Sequence, residues 1–522
     1  MLRRLLIALF LLAPASAAAE WREATTRHFV IYSESGEKSL REAAADLELF
    51  DHLLRQVTQA PPEDPSKLKV YLMRSYGSVQ QVGGYPSGSS VAGFYTASSR
   101  GPIAVGVRTD TSADMAAQSI LFHEYAHHLM LQHFPAAYPT WYTEGFAEYY
   151  GATKVLENST VEVGIPAAHR YYTLRSNRWL QLKSMLTAKS YRDVGGDLDL
   201  LYAQGWLLTH YLSNSVGRKG QLRTYLGAIN SGAAFPEAME KAFGKDAAAL
   251  NSELRAYARR PRLEALRITF KEYRPEPVTV RTLSPAEQKM VKHDIALGRG
   301  IRARDAAKFA ADVRDDARSF PSDPAALSIL AEAERLAGNR DAAAAAVERW
   351  LKVRPGAPRG LMLKGLLAAE ALAAAGSTDA KAWDAARQPI AEARKAAPED
   401  PMIMEAFYDA HAIQGRKPPG RAQNALFYAF ERVPQDPVLR QKVASDFEQR
   451  GMIAEAIAAI RPLAFTAHAP ETDPKKKAKL DKELEKYRLA GETIGETPYE
   501  MLERLEAKLA AARPAPAKTG AE

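Results

Sequence analysis

Residues 123–127 read His123-Glu-Tyr-Ala-His127, and residues 141–150 read Trp141-Tyr-Thr-Glu-Gly-Phe-Ala-Glu-Tyr-Tyr150. Because four residues make about one helical turn, the first motif places both histidines on one face of a helix. Two imidazoles at this spacing, with a glutamate beside the first, are typical of a helix that binds Zn²⁺. A catalytic zinc site has three protein ligands and keeps its fourth position for water. The two motifs therefore predict a zinc site and a domain built around this helix.

The third protein ligand must come from elsewhere, and two residues compete for this role. His133 follows His123 by ten residues, as in His-Glu-x-x-His-x-x-Gly-x-x-His sites, but Met130 stands where that pattern needs glycine to end the helix. In a continuing helix, His133 is about 600° of rotation beyond His127 and points away from the metal. Glu144, which begins a second helical pattern, is therefore the predicted ligand.

Two further acids complete the predicted site. Glu124 is the predicted general base, which takes a proton from a water molecule whose pKa zinc lowers to about 7. Glu148 lies one turn after Glu144 on the same helical face. A metal-bound histidine usually donates its other ring N–H to a carboxylate, and this is the role predicted for Glu148. Together these residues predict metal-assisted hydrolysis of a peptide bond.

The two motifs resemble those of the gluzincin metallopeptidases, and most of all the bacterial peptidase MA-like domains of unknown function that are often joined to tetratricopeptide repeats. The resemblance covers residues 91–212 and extends back to about residue 28. It implies an α+β thermolysin-like catalytic domain with Zn²⁺, its ligands and its base at the positions named above. Thr143 stands where the group usually has asparagine, and the gap from His127 to Glu144 is short for the group.

The resemblance also implies roles for residues outside the motifs. Gluzincins add an extended substrate to a sheet edge, and we assign this role to the strand Val91-Ala-Gly93-Phe-Tyr95, which is equally typical of an ordinary hairpin strand. The oxyanion formed on attack needs a hydrogen-bond donor, and related peptidases use a tyrosine or histidine after the third ligand. Tyr202 is the first candidate and His210 the second, and both also fit a packed core helix.

The N-terminus predicts export to the periplasm or secretion. Met1–Arg4 is basic, Leu5–Ala13 is apolar and small residues follow up to Ala19, so residues 1–19 form a predicted signal peptide. The apolar run is too short to span a bilayer, no other run approaches about 18 apolar residues, and we expect no transmembrane anchor. The chain has no Cys, which excludes a lipidated cysteine, disulfides and thiol catalysis.

Length and charge restrict the class of protein further. At 522 residues the chain is long enough for two or more domains. The formal net charge of +8 falls to +6 without Arg3 and Arg4, and so small an excess does not indicate nucleic-acid binding. Residues 20–260 predict a mixed α/β catalytic domain, and the proline- and arginine-rich residues 261–286 predict a linker.

Beyond this linker an alanine-rich sequence repeats with a regular period. At steps of 34, 43 and 36 residues, paired prolines end at Pro324, Pro358, Pro401 and Pro437. A period near 34 closed by proline at a helix start is typical of tetratricopeptide (TPR) helix pairs, and we attribute the longest step to an insertion near Gly376. We therefore expect an all-α TPR-like helical-repeat solenoid over residues 287–465, then a charged helical tail and a disordered C-terminus over 466–522.

Two classes of function follow from these features. In the first, the chain is an exported zinc metallopeptidase that acts on a peptide or protein substrate, and the solenoid offers a concave face to a protein partner or caps the catalytic domain. In the second, it is a non-catalytic periplasmic TPR scaffold with a relic peptidase domain. A zinc amidase acting on cell-wall peptides is a variant of the first class. The complete set of ligands and base favours the enzyme.

Overall fold

The computed structural model describes residues 20–512 except residues 90, 109–114, 167, 177, 189–193, 195–196, 245–246 and 465–495. The predicted signal peptide (1–19) lies outside the described residues, as do most of the predicted charged tail (466–522) and its C-terminus from residue 513. Within the described chain, no helix combines the length and apolar character needed to cross a membrane.

The first half of the described chain is built on two β-sheets. Its strands are β1 (Arg22–Thr25), β2 (Phe29–Ser33), β3 (Leu68–Met73), β4 (Phe94–Ser98), β5 (Gly101–Val107), β6 (Lys154–Leu156), β7 (Thr160–Val163), β8 (Leu266–Thr269) and β9 (Thr279–Thr282). The larger sheet has the order β4-β5-β3-β2-β1-β9, in which β2, β3 and β5 run parallel and the other pairings are antiparallel. The smaller sheet has the order β6-β7-β8. β4 therefore forms an edge of the larger sheet.

Helices cover both faces of the larger sheet. The helices of this half are α1 (Glu37–Thr58), α2 (Tyr76–Gly83), α3 (Met115–His133), α4 (Thr140–Gly151), α5 (Ala168–Leu174), α6 (Leu182–Thr187), α7 (Leu198–Asn214), α8 (Gln221–Asn230), α9 (Phe235–Phe243), α10 (Ala247–Ala258) and α11 (Pro285–Arg299). Of these, α1, α2, α3 and α11 contact the larger sheet. Because side chains alternate along a strand, Val70 and Leu72 of β3 join the core that includes α1 and α3. Tyr71 and Met73 point to the opposite face, which α2 and α11 cover. The motif helix α3 is thus held against one face of the sheet.

Two predicted boundaries in this half were wrong. The edge strand predicted at Val91–Tyr95 begins at Phe94 and ends at Ser98. The predicted linker 261–286 contains β8, which pairs with β7, and β9, which pairs with β1. Both strands have four residues with mostly exposed side chains, so no alternation of apolar residues marks them in the sequence. Their place is set by backbone pairing with distant strands.

The second half of the described chain consists of helix pairs, as the proline period predicts. The helices after α11 are α12 (Ala306–Ala317), α13 (Pro324–Leu336), α14 (Arg340–Val353), α15 (Pro358–Ala374), α16 (Ala380–Ala396), α17 (Pro401–Ala412), α18 (Gly420–Arg432), α19 (Pro437–Gln449), α20 (Ile453–Ala464) and α21 (Pro498–Ala511). Asp323, Asp400 and Asp436 cap the first-turn N–H groups, and proline at the next position suits the start of a helix. The predicted helical-repeat region is confirmed.

Two details of this region differ from the prediction. Most of the long step of the period comes from α15 and α16, which have 17 residues each against 13 and 14 in α13 and α14, and the connection at Gly376 is only slightly longer than that between α13 and α14. In the predicted charged tail, α21 packs against α20 and buries Met501, Leu502 and Leu505. Its apolar residues are spaced by three and four positions, which is typical of a helix with one buried face. The many charged residues around them led to the prediction of a solvated tail.

Candidate metal centre

Two close helix contacts place α4 between α3 and α7. A Cβ added to Gly151 would lie 3.0 Å from the Cα of His123, so glycine allows the end of α4 to approach α3. Gly145 faces α7, where the carbonyl oxygen of Gly205 would lie 2.5 Å from an added Cβ. The apolar side of α3 is buried in the core, and its other side carries the two histidines. This packing brings Glu144 over the His-Glu-x-x-His motif.

The three predicted ligands converge on one point. His123 Nε2 and His127 Nε2 are 3.0 Å apart, and Glu144 Oε2 lies 3.3 Å from the first and 3.5 Å from the second. In a tetrahedral zinc site with bonds of about 2.0 Å, neighbouring ligand atoms are about 3.3 Å apart. The residues present therefore fit a tetrahedral cation and leave one position for another ligand.

Burial and mutual contacts set the protonation of this cluster. Burial lowers the pKa of His123, but its hydrogen bond to Glu144 and the charges of Glu148 and Glu124 raise that pKa to about 9. Burial raises the pKa of Glu144, but His127 and His123 together hold it well below its usual value. Without a metal the cluster therefore keeps a proton on a histidine beside a carboxylate. A divalent cation competes with that proton for the same lone pair.

Behind His123 lies Glu148, held in place by an arginine. Its Oε1 is 3.5 Å from His123 Nδ1, and Arg170 of α5 donates to its two carboxylate oxygens at 2.9 and 3.0 Å. Arg170 also donates to Asp199 at 3.1 Å and stacks on Tyr202, with Cζ 4.8 Å from the ring centroid. The rings of Tyr202 and His123 lie 6.2 Å apart, centroid to centroid. Arg170 thus contacts both Glu148, the carboxylate behind the predicted metal ligand His123, and Tyr202, the candidate oxyanion donor.

The predicted general base lies beneath the edge strand. The backbone N–H of Tyr95 donates to the carboxylate of Glu124, whose pKa is raised by burial although the neighbouring histidines lower it. A Cβ added to Gly93 would lie 2.6 Å from Ile120 Cγ2 and 3.3 Å from Glu124 Cγ, so the chain approaches α3 here because residue 93 has no side chain. Val91, which is half-buried, lies before the start of β4. The outer edge of the sheet therefore faces Glu124.

His133, the alternative third ligand, and His210, the second candidate for the oxyanion donor, both bond to residues outside the cluster. His133 Nε2 is 2.7 Å from Asp64. His210, fully buried, uses one ring nitrogen for the carbonyl of Glu264 and the other for the hydroxyl of Tyr257, both at 2.9 Å. His210 follows Tyr202 by eight residues on α7, which is about 12 Å along the helix axis. Of the two candidates for the oxyanion donor, the structure brings Tyr202 to the cluster and leaves His210 in the core.

A second group of potential metal ligands, His28, Glu48 and Asp51, is already satisfied by hydrogen bonds. His28 Nδ1–H donates to Glu48 Oε2 at 2.8 Å, and Arg55 Nε donates to Asp51 Oδ1 at 2.7 Å. Arg55 also pairs with Asp64 at 2.6 Å. The guanidinium supplies the positive charge that these carboxylates need, so a cation has no favourable place among them.

The role of Arg170 and the close helix contacts were not predicted from the sequence. Arg170 lies 22 residues beyond Glu148 in a short helix, and no local pattern connects the two. The glycines did leave a signal. Gly145, Gly151 and Gly205 stand in helical sequence, where glycine is unfavourable and usually marks close packing.

A scan against models of protein families and a search of curated proteins found no match to this chain. Among solved structures it is similar to a thermophilic TPR protein of Thermus thermophilus, with 19% identity over 38% of this chain and 98% of that one, at a TM-score of 0.29. It is also similar to PilW, a type IV pilus biogenesis factor, with 16% identity over 44% and 94% at 0.29. A Parabacteroides merdae TPR protein gives 14% identity over 42% and 84% at 0.28. These TM-scores are low, and the helix pairs are established by the helices of this chain themselves.

Proposed function

We propose that this chain is an exported, zinc-dependent hydrolase that cleaves peptide bonds. The observation that carries the proposal is the triangle of His123 Nε2, His127 Nε2 and Glu144 Oε2, with sides of 3.0 to 3.5 Å, next to Glu124. Burying several ionisable groups together is costly unless they pair with one another, hold a ligand or perform chemistry, and such clusters occur frequently at functional sites. A glutamate placed beside such a triangle, under a sheet edge, suits hydrolysis better than a purely structural metal site.

The residues of the chain suggest a division of roles. When bound, Zn²⁺ supplies Lewis acidity to a carbonyl oxygen and lowers the pKa of a water molecule to about 7. Glu124 accepts a proton from the attacking water and passes it to the leaving amine. Because burial raises the pKa of Glu124, the carboxyl is better matched to both proton transfers than an exposed glutamate. The N–H of Tyr95 orients that carboxylate.

The surroundings of Glu124 favour an extended peptide as the substrate. The outer edge of β4 carries backbone groups to which a peptide strand can add, directly above the base. Tyr202 approaches from the side of His123 and offers a hydroxyl to the developing oxyanion. Peptides derived from proteins and peptides of the bacterial cell wall are both substrates of this kind.

A second candidate is a non-catalytic scaffold, and the array of helix pairs favours it. Helix-pair solenoids present extended surfaces that bind proteins, and α11 to α20 form such an array in the described chain. In that case the metal triangle is a relic that stabilises the fold. Hydrolysis that depends on Glu124 separates the two candidates.

The test compares zinc-loaded wild type with Glu124→Gln on a mixed peptide library and on cell-wall peptides, with products identified by mass spectrometry. We expect cleavage by wild type and a loss of at least about 10³-fold in Glu124→Gln with zinc content unchanged. Glu157→Gln, which changes an exposed glutamate in a turn, is the matched control and keeps full activity. Absence of cleavage by zinc-loaded wild type on both substrate sets would favour the scaffold.

A further inference from the structure

The first helices of the repeat pairs form one continuous face. α11 packs against α13, α13 against α15, and α15 against α17, so these helices lie on the inner side of the array. We call the surface made by α11, α13, α15, α17 and α19 the inner face. In solenoids of helix pairs such a face is the usual place for an extended ligand.

In this chain the inner face is occupied by the hairpin of β4 and β5. At the tip, Arg100 donates to Asp294 of α11 at 2.7 Å and forms a second ion pair with Glu332 of α13. The neighbouring Ser99 hydrogen-bonds to Glu405 of α17. The contacts therefore come from three different first helices. The side chains of Arg100 and Glu332 are only 12% and 8% exposed, so this is a buried contact and not a passing surface pair.

The strand itself continues this contact toward the metal centre. Ala97 is buried in the apolar core of the repeats, and Tyr95 packs against the same core. The hydroxyl of Tyr95 accepts a hydrogen bond from Gln435 at 2.9 Å, just before α19, and lies 3.2 Å from His128 Nδ1 of α3. Gln435 also donates to Gln132 of α3 at 2.8 Å. The same residue whose N–H bonds to Glu124 thus has its side chain fixed by the repeats.

We propose that the β4–β5 hairpin is the resident ligand of the inner face, and that through it the repeats hold β4 at the metal centre as an internal clamp. An external protein reaches the inner face only by displacing the hairpin, and this displacement releases β4 from Glu124. A competing ligand would share the chemistry of the tip, which is an extended segment with small residues around one arginine. The docking of the hairpin on the inner face does not depend on the proposed function, whereas its effect on hydrolysis rests on that function.

The absence of cysteine from the chain allows a clean test of the docking in the full-length protein. A single thiol is introduced by Ala97→Cys, and its alkylation rate under native conditions is compared with that of Ser231→Cys at an exposed turn. We expect the thiol at position 97 to react at least about tenfold more slowly. Adding Arg100→Ala, or the milder Gln435→Ala, should then raise its rate. Equal rates at the two positions, or no response to either change, would overturn the proposal.

Hydrolysis gives a second and separable measurement. In the Gln435→Ala variant we expect a raised KM for peptide cleavage with unchanged zinc content, because β4 is loosened while the ligands stay in place. If the thiol reacts faster but KM equals that of wild type, the effect of the hairpin on hydrolysis is overturned, whereas its docking on the inner face is supported. Since thiol protection is measured without any substrate, failure of the hydrolase proposal and failure of the clamp give different results.

Discussion

A Cβ atom added to Gly151 would stand 3.0 Å from the Cα, the Cβ and the backbone N of His123. The last residue of α4 thus touches His123, the first predicted metal ligand, and the separation of α3 and α4 depends on a missing side chain. Alanine at this position must push the helices apart by several tenths of an ångström. Such a shift moves Glu144 relative to His123, although neither ligand is changed.

We therefore predict that Gly151→Ala lowers zinc affinity by at least about tenfold and costs about 1–3 kcal/mol in the free energy of unfolding. Competition with a chelator measures the first effect, and urea unfolding of the metal-free protein measures the second. Gly227→Ala in α8 is the control, because no atom lies within 4 Å of its added Cβ. It should bind zinc normally and gain up to about 1 kcal/mol. Unchanged zinc affinity in Gly151→Ala would contradict the role of this contact.

A second prediction concerns Arg170 and Glu148, the carboxylate behind the proposed metal ligand His123. Lysine has no planar fork, so Arg170→Lys loses the paired hydrogen bonds to Glu148 and the stacking on Tyr202 while keeping the charge. We expect zinc affinity to fall by about 10- to 100-fold, as for other changes behind metal ligands. Arg175→Lys, at an exposed position of the same segment, should leave affinity unchanged. Equal affinities in the two variants would show that Glu148 needs no such support.

Tyr202 is predicted to act on the rate of hydrolysis and not on metal binding. Removing one oxyanion donor typically costs about 10²- to 10³-fold in kcat, and we expect this loss in Tyr202→Phe with stoichiometric zinc retained. Tyr172→Phe is the matched control, because Tyr172 is 74% exposed. If Tyr202→Phe keeps full kcat while Glu124→Gln is inactive, the oxyanion donor must be another group.

His128 should make the stability of the protein depend on pH. Burial lowers the pKa of His128 to about 4, so the unfolded chain, with a histidine pKa of about 6.5, binds this proton more readily than the folded chain. Stability is therefore lost as the pH falls from about 6.5 to about 4, by at most about 3 kcal/mol from this group. Unfolding free energies of the metal-free wild type and of His128→Gln across this window test the effect. The variant should show the flatter dependence, and parallel curves would contradict the assignment.

The sequence predicted the arrangement of site residues that are close together in the chain. It did not predict contacts between residues that are far apart in the chain. His123, Glu124 and His127 share one helix, and helical periodicity predicts their arrangement. Glu144 could also be predicted as a ligand, because it lies on the next helix along the chain. Nothing local connects Arg170 to Glu148, or Gln435 to Tyr95 across 340 positions, because such contacts arise when separate elements pack together.

The strands show the same limit. Those that alternate buried and exposed side chains, such as Phe29–Ser33, can be predicted from their pattern. Those held at an edge by backbone pairing, such as Thr279–Thr282, cannot, because their side chains remain largely exposed. The helix pairs are the opposite case. A proline period marks the starts of α13, α15, α17 and α19, and aspartate caps three of them, so the array can be predicted from the sequence alone.

Zinc stoichiometry tests the central claim most directly. Elemental analysis is done on purified wild type, Glu144→Ala and His133→Gln after equilibration with zinc and removal of free metal. The geometry predicts one zinc ion per chain in wild type and none in Glu144→Ala. It also predicts one zinc ion in His133→Gln, because the imidazole of His133 pairs with Asp64 in the wild type. A wild type without bound zinc, or zinc retained in Glu144→Ala and lost in His133→Gln, would contradict the metal centre described above.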